Sequence, residues 1–163
     1  MIRLARPRDL PRYFVIERAA AKLYAPWGLD AVLEEAGTPT TRVSEAIDRQ
    51  ELIAAVDDHD EMIGYALFGR DEADIHLEEL AVEPAYGRRG RGTALLEATV
   101  ACAAATNARR VTLITLDFVP FGKPFYEHRR FHVLEDDALS PRLRALAPPH
   151  ERDGRIAMAR VLR

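Results

Sequence analysis

The order of strand-like and helix-like runs predicts an α/β fold with a mixed, mostly antiparallel sheet flanked by helices. Segments with apolar residues at every second position indicate strands, and longer segments with apolar residues three and four apart indicate helices. Along the chain they follow the order β-α-α-β-β-β-α-β-α-β, then a helix and a strand. The sequence of 163 residues contains no internal repeat and no long linker, so we expect one domain over residues 1–163.

Composition restricts the classes of protein to which the chain can belong. Hydrophobic residues make up 48% and charged residues 30%, as in globular proteins. The net charge of −3 argues against a general binder of nucleic acid or of acidic membrane surfaces. A single cysteine excludes a disulfide framework and a multi-cysteine metal site, and we expect no metal. Because no apolar run is long enough to span a membrane and no signal peptide is recognised, the expected location is the cytoplasm.

The N-terminal region is predicted to contain a short edge strand, Ile2–Ala5, and a helix that Asp9 caps. The apolar stripe of this helix consists of Leu10, Tyr13, Phe14, Ala20, Ala21 and Tyr24. Glu17 falls inside the stripe, either as an ordinary surface carboxylate or as one directed at a bound amine. Tyr24 and Trp27, at the end of the helix, either pack in the core or line a substrate pocket.

A hairpin is predicted next, with strands Leu52–Val56 and Met62–Phe68 joined by a polar turn. The turn, Asp57–Asp60, contains three acids and one histidine. A solvated hairpin tip is favoured over a metal site, because successive side chains of a strand and its turn diverge.

The predicted strand Ile75–Val82 contains three ionisable residues that are candidates for a functional role: His76, Glu78 and Glu79. Alternation places His76, Glu78, Leu80 and Val82 on one face and Ile75, Leu77, Glu79 and Ala81 on the other.

Downstream of this strand the sequence Gly-Arg-Arg-Gly-Arg-Gly-Thr, Gly87–Thr93, leads into a helix predicted over Thr93–Ala105. Glycines let the backbone approach a ligand closely, and the first N–H groups of a helix lack helical partners. The helix dipole and three arginines add positive potential, so a diphosphate is the expected ligand. The candidate cofactor-binding residues here are Arg88, Arg89, Gly90, Arg91, Gly92 and Thr93.

Other diphosphate motifs fit this loop poorly. The dinucleotide fingerprint needs a third glycine and a later acidic residue, and a P-loop needs a lysine before the Ser or Thr. The kinase glycine loop joins two strands, whereas this loop leads into a helix. The loop instead resembles the Q/R-x-x-G-x-G/A signature of the GNAT acetyltransferase superfamily, with Gly90 and Gly92 at its small positions and Gly87 where Gln or Arg is usual.

A second segment, Pro124-Phe125-Tyr126-Glu127-His128-Arg129-Arg130-Phe131, resembles the F-Y-x-x-x-G-F segment of the same superfamily. Arg130 replaces the usual glycine, so we expect either a less tight turn or a left-handed residue. The remaining predicted elements are strands Arg110–Phe118 and Phe131–Leu134, a helix Leu139–Ala147 and a closing strand Arg155–Leu162.

The resemblance implies a GNAT-like single domain that binds acetyl-CoA as co-substrate and transfers the acetyl group directly to a primary amine. It implies that the backbone of Leu80, Ala81 and Val82 meets the pantetheine arm, and that Tyr126 protonates the departing thiolate. Side chains upstream on the strand face, Glu78 first and His76 second, are candidates for the base, with Glu79 a distant third. Such a base is needed because an alkylammonium has a pKa of ~10.4 and its deprotonation at pH 7 costs roughly 4.6 kcal/mol.

Alternatives to this function remain open at this stage. A non-catalytic acyl-CoA sensor would share the fold. A nucleic-acid binder could use Arg88, Arg89 and Arg91, but the sequence lacks the aromatic platforms of single-strand binders. The acceptor could be a small molecule or a peptide amine, and the sequence leaves a homodimer open.

Overall fold

The computed structural model describes residues 1–148 and 153–162, and the statements below concern these residues. Within them, no helix combines the length and the apolar character that crossing a bilayer would need.

The described residues form a seven-stranded sheet with strand order β1-β2-β3-β4-β5-β7-β6. The strands are β1 (Ile2–Leu4), β2 (Leu52–Val56), β3 (Met62–Asp71), β4 (Asp74–Val82), β5 (Arg110–Leu116), β6 (His132–Val133) and β7 (Arg155–Val161). β4 and β5 pair in parallel, whereas β1–β2, β2–β3, β5–β7 and β6–β7 pair antiparallel. The predicted α/β class with a mixed, mostly antiparallel sheet is therefore confirmed, and so are the edge position of the first strand and the β2–β3 hairpin.

The helices are α1 (Leu10–Ala21), α2 (Asp30–Glu35), α3 (Thr40–Asp48), α4 (Arg91–Ala105), α5 (Lys123–Glu127) and α6 (Pro141–Leu146). α4 begins at Arg91, two residues before the predicted start at Thr93, so Gly92 lies inside the first helical turn.

The chain clusters into two compact units. Unit 1 comprises Met1–Phe68 and Glu79–Thr99, and unit 2 comprises Gly69–Glu78 and the described part of Val100–Arg163. The core of unit 1 consists of apolar side chains from α1, α3 and the strands, among them Tyr13, Ile16, Val43, Leu52, Met62, Tyr65 and Leu67, all less than 2% exposed. In unit 2, Leu139 and Leu143 pack with Ala157 of β7, and the Ser140 side chain caps α6 by accepting from the Leu143 N–H.

Asp9 occupies the predicted N-cap position of α1, but its side chain does not make the expected capping hydrogen bond. The side chain instead closes the short 3-10 turn before the helix, accepting the Arg6 N–H at 2.8 Å. Its carboxylate also pairs with the Arg3 guanidinium at 2.7 Å. Asp60 at the hairpin tip pairs with Arg3, Arg6 and Arg8. Charge pairing with the arginines therefore outweighs the capping preference that the local sequence favours.

Candidate functional site

The loop between β4 and α4 turns through two residues with left-handed backbone. Arg88 has φ of 59° and Gly90 has φ of 78°. A Cβ atom on Gly90 would meet nothing within 4 Å, so the conformation and not a lack of space calls for glycine there. The Ala94 N–H donates to the Gly90 carbonyl at 2.9 Å, and the N–H groups of Arg91 and Gly92 therefore precede the first hydrogen-bonded turn of the helix.

Positive charge surrounds this loop. Arg88 and Arg89 are exposed, and Arg91 is half-buried with its guanidinium 5.7 Å from the centre of the Tyr86 ring. Gly92 and Thr93 are also half-buried. The junction thus joins a helix N-terminus, a tight glycine turn and three cations, which together suit an anionic ligand.

Strand β4 precedes this loop in the chain. Its parallel ladder with β5 covers Ile75–Leu77 against Val111–Leu113, and β4 itself continues to Val82. Beyond the ladder, Leu80 and Val82 are half-buried and Ala81 is buried.

In unit 2, the structure brings His76 and Glu78 into one electrostatic environment, as the alternation predicts. The His76 ring Nδ1 lies 3.0 Å from the Thr112 hydroxyl in a buried contact. The Glu78 carboxylate pairs with the Arg142 guanidinium at 3.2 Å. Burial lowers the pKa of His76 to about 4; Arg142 adds to this effect, while Glu78 and Asp71 oppose it. His76 is therefore a neutral imidazole at pH 7.

In unit 1, Glu79 lies in a group of hydroxyl-bearing side chains. Its carboxylate accepts a hydrogen bond from the Tyr13 hydroxyl at 2.5 Å and another from the Thr38 hydroxyl at 3.0 Å. Burial raises the pKa of Glu79, these hydrogen bonds oppose that rise, and the Glu17 carboxylate adds to it. Glu79 and Glu17 are therefore close enough to repel each other.

Two of the three predicted substrate-binding residues belong to this same group. Glu17 accepts the Thr38 N–H at 2.6 Å and is half-buried. Tyr24 is half-buried as well, and burial together with the Glu79 charge raises the pKa of its hydroxyl. Trp27 lies on the 3-10 turn that follows α1 and is 37% exposed.

Tyr126 lies on the short helix α5 and is half-buried. Its ring contacts those of Phe125 and Phe131 edge-on, at 5.0 and 5.7 Å between centres. Arg130 adopts φ of 66°, so of the two alternatives predicted for this position the structure has the left-handed residue.

Residues 48–133, just over half of the chain, match the family model described as an acetyltransferase (GNAT) domain. The chain belongs to the GNAT acetyltransferase family. This match confirms the resemblance drawn from the glycine loop and the Tyr126 segment.

Several solved structures share the fold of this chain at low sequence identity. PaiA N-acetyltransferase from Thermoplasma acidophilum, in complex with coenzyme A, is 17% identical over 99% of this chain and 98% of that one, with a TM-score of 0.77. The ribosomal-protein-S18-alanine N-acetyltransferase from Escherichia coli is 17% identical over 99% and 93%, with a TM-score of 0.71. N-acetylglutamate synthase from Neisseria gonorrhoeae, complexed with coenzyme A and N-acetyl-glutamate, is 18% identical and has a TM-score of 0.78. That protein is longer, and the match covers 100% of this chain but only 35% of the synthase chain.

The sequence pattern did not identify Thr38 or Arg142 as members of these groups. Tyr13 appeared in the predicted apolar stripe, but its hydroxyl bond to Glu79 carries no local signal. Arg142 reaches Glu78 from α6, much later in the chain. The sequence could have suggested only that two adjacent glutamates on opposite strand faces need different partners.

Proposed function

We propose that this GNAT protein transfers an acetyl group directly from acetyl-CoA to a primary amine, through one domain formed by residues 1–163. Membership of the acetyltransferase family supports the reaction class. The coenzyme A complexes among the similar structures support the donor. The observation that carries the proposal is the junction between β4 and α4, where a glycine turn and helical amides meet three arginines.

The geometry of the loop supports the proposed roles of its residues. The N–H groups of Arg91 and Gly92 would donate to the pyrophosphate of coenzyme A, with Thr93 at the end of the same turn. Arg88 and Arg89 would add charge from the exposed side of the loop. The fixed donors of a helix N-terminus favour an anion without further ordering of the chain.

The β4 segment upstream would orient the thioester. Backbone groups of Leu80, Ala81 and Val82 lie beyond the β4–β5 ladder and are the predicted partners of the pantetheine arm. A backbone N–H near Leu80 would stabilise the oxyanion that forms when the amine attacks the carbonyl carbon.

The amine must lose a proton before it attacks. Glu78 and His76 remain the proposed acceptors of that proton, directly or through water. His76, neutral at pH 7, carries a lone pair on one of its two ring nitrogens. Glu78 lies in an ion pair with the Arg142 guanidinium. The C–N bond would form first, with the carbonyl electron pair moving onto the oxyanion. When the oxyanion collapses back to a carbonyl, the C–S bond breaks, and the departing thiolate would take the Tyr126 hydroxyl proton.

The decisive experiment joins a binding measurement with a turnover measurement. Calorimetry with coenzyme A tests the loop, and release of free thiol from acetyl-CoA in the presence of an amine panel tests the transfer. We expect micromolar coenzyme A binding and amine-dependent thiol release. Coenzyme A binding without thiol release for any amine would favour an acyl-CoA sensor, and absence of both would refute the proposal.

A further inference from the structure

Two neighbouring carboxylates of unit 1 have no cationic side chain paired with them among the described residues. Glu79 accepts hydroxyl protons from Tyr13 and Thr38, and Glu17 accepts the Thr38 N–H. The two carboxylates are nevertheless close enough that Glu17 raises the pKa of Glu79. Half-buried acids in proximity are normally paired with Lys or Arg, because burying an unpaired charge is costly.

A buried hydroxyl beside these acids is also unsatisfied. Tyr65 is 0% exposed, and its ring stacks on Tyr13 with 4.0 Å between centres. Its hydroxyl lies near Tyr13 and Glu79, yet no hydrogen bond of normal geometry reaches it. Because buried polar atoms are almost always satisfied, this hydroxyl can take a further hydrogen-bond partner, and its lone pairs can accept from a donor bound at the group.

We infer that Glu79 and Glu17, with the hydroxyls of Tyr65 and Tyr24, bind an ammonium group of the acceptor. An alkylammonium carries three donors and no acceptor, which matches two carboxylates and a hydroxyl with free lone pairs. Glu17, Tyr24 and Glu79 are half-buried and thus keep contact with solvent, through which such a group can enter. The inference rests on the proposed function, since it names the class of acceptor.

The ammonium bound here is not the amine that reacts. Two adjacent anions favour the charged form of an amine and raise its pKa, whereas the reacting nitrogen must become neutral to attack. Glu79 nevertheless directly precedes Leu80, whose backbone is proposed to face the thioester. The acceptor therefore carries a second positive charge a short distance from the acetylated amine, as in diamines, polyamines and dibasic amino compounds.

The test compares diamines with monoamines of equal size. Initial rates of thiol release are measured for the series from 1,3-diaminopropane to 1,6-diaminohexane, each against the linear monoamine with the same number of non-hydrogen atoms. We expect the best diamine to exceed its monoamine by about tenfold in kcat/KM, mainly through a lower KM, because one charge-assisted contact is worth about a factor of ten. Equal kcat/KM values across the series, with clear turnover of monoamines, would overturn the inference and leave the acetyltransferase proposal intact.

Variants connect the preference to these carboxylates. Glu79→Gln and Glu17→Gln keep the size of each side chain and remove its charge, and we expect each to reduce the diamine preference to about threefold or less. Glu45→Gln, at an exposed position of α3, is the matched control and should keep the full preference. Preservation of the diamine preference in Glu79→Gln would overturn the inference.

A binding readout separates this site from catalysis. Calorimetric titration of each diamine into protein saturated with coenzyme A should give heat of binding for the wild type and about tenfold weaker binding for Glu79→Gln. If no amine is turned over but diamines still bind in this way, the site stands and the acetyltransferase proposal fails. Absence of diamine binding to the wild type would overturn the site.

Discussion

The Phe131 N–H donates to the Tyr126 carbonyl at 3.1 Å, and this bond closes the C-terminus of α5. The Arg130 N–H donates to the Glu127 carbonyl, also at 3.1 Å. Together the two bonds form a Schellman motif with Arg130 at the left-handed position. Phe131, which follows, is fully buried. The motif thus anchors the proposed proton donor between a capped helix end and a core aromatic ring.

Replacing Arg130 with glycine should stabilise the protein. A left-handed non-glycine residue costs roughly 1–2 kcal/mol, and the greater freedom of glycine in the unfolded chain returns part of that gain. We expect a net increase of about 0.5–1 kcal/mol in the free energy of unfolding, seen as a rise of about 2 °C in thermal melting. Arg130→Ala, which keeps the left-handed penalty, is the control, and an equal gain in both variants would attribute the effect to the lost side chain.

Loss of the Tyr126 hydroxyl should slow turnover without weakening binding. For Tyr126→Phe we expect kcat to fall about 100-fold, as is typical when a general acid is removed, with coenzyme A affinity unchanged. Steady-state thiol release and calorimetry measure the two quantities. Unchanged kcat would exclude Tyr126 as the proton donor.

The buried His76 should lower the free energy of unfolding as the pH falls, and this loss should begin at a higher pH than the protonation of the carboxylates. Its folded pKa of about 4 lies below the ordinary value of 6.5, so the unfolded state takes up a proton first as the pH falls. The stabilising contribution is present above pH 6.5 and is lost between pH 6.5 and 4. At 1.36 kcal/mol per pKa unit, the loss approaches about 3 kcal/mol. Urea unfolding at several pH values should show this slope in the wild type and a reduced slope in His76→Asn.

Gly90→Ala should weaken coenzyme A binding by about tenfold or more. An alanine at φ of 78° is strained by roughly 1–2 kcal/mol, and relief of that strain would shift the loop that carries the amide donors. Gly28→Ala is a matched control, because Gly28 has φ of 70° and its added Cβ atom would also meet nothing within 4 Å. Calorimetry should find wild-type coenzyme A affinity in Gly28→Ala. Equal coenzyme A affinities for the wild type, Gly90→Ala and Gly28→Ala would show that the loop does not bind coenzyme A.

Gly122→Ala should destabilise unit 2 by steric overlap. The added Cβ atom would lie 2.3 Å from the Leu116 carbonyl oxygen and 2.8 Å from Val119 Cγ2. Overpacking of this kind costs about 1–3 kcal/mol, and backbone contact places this position at the upper end. Chemical unfolding measures the loss, and a change below about 0.5 kcal/mol would show that the connector before α5 adjusts freely.

The sequence alone determined the features that depend on neighbouring residues. Alternation and turn chemistry identified the sheet class, the β2–β3 hairpin and the two faces of β4. Glycine spacing identified the Gly87–Thr93 loop, and this loop together with the motif around Tyr126 led to the family. Each of these features depends on residues that are close together in the chain, so a short stretch of sequence is enough to predict it.

Only the tertiary structure decided how the charged side chains are partnered. Glu78 pairs with Arg142, whereas Glu79 accepts hydrogen bonds from Tyr13 and Thr38, although the two glutamates are adjacent in the chain. Likewise, the Asp9 side chain pairs with Arg3 and does not cap α1. The cost of burying a charge depends on the groups that folding brings close from distant parts of the chain, and no local pattern specifies them.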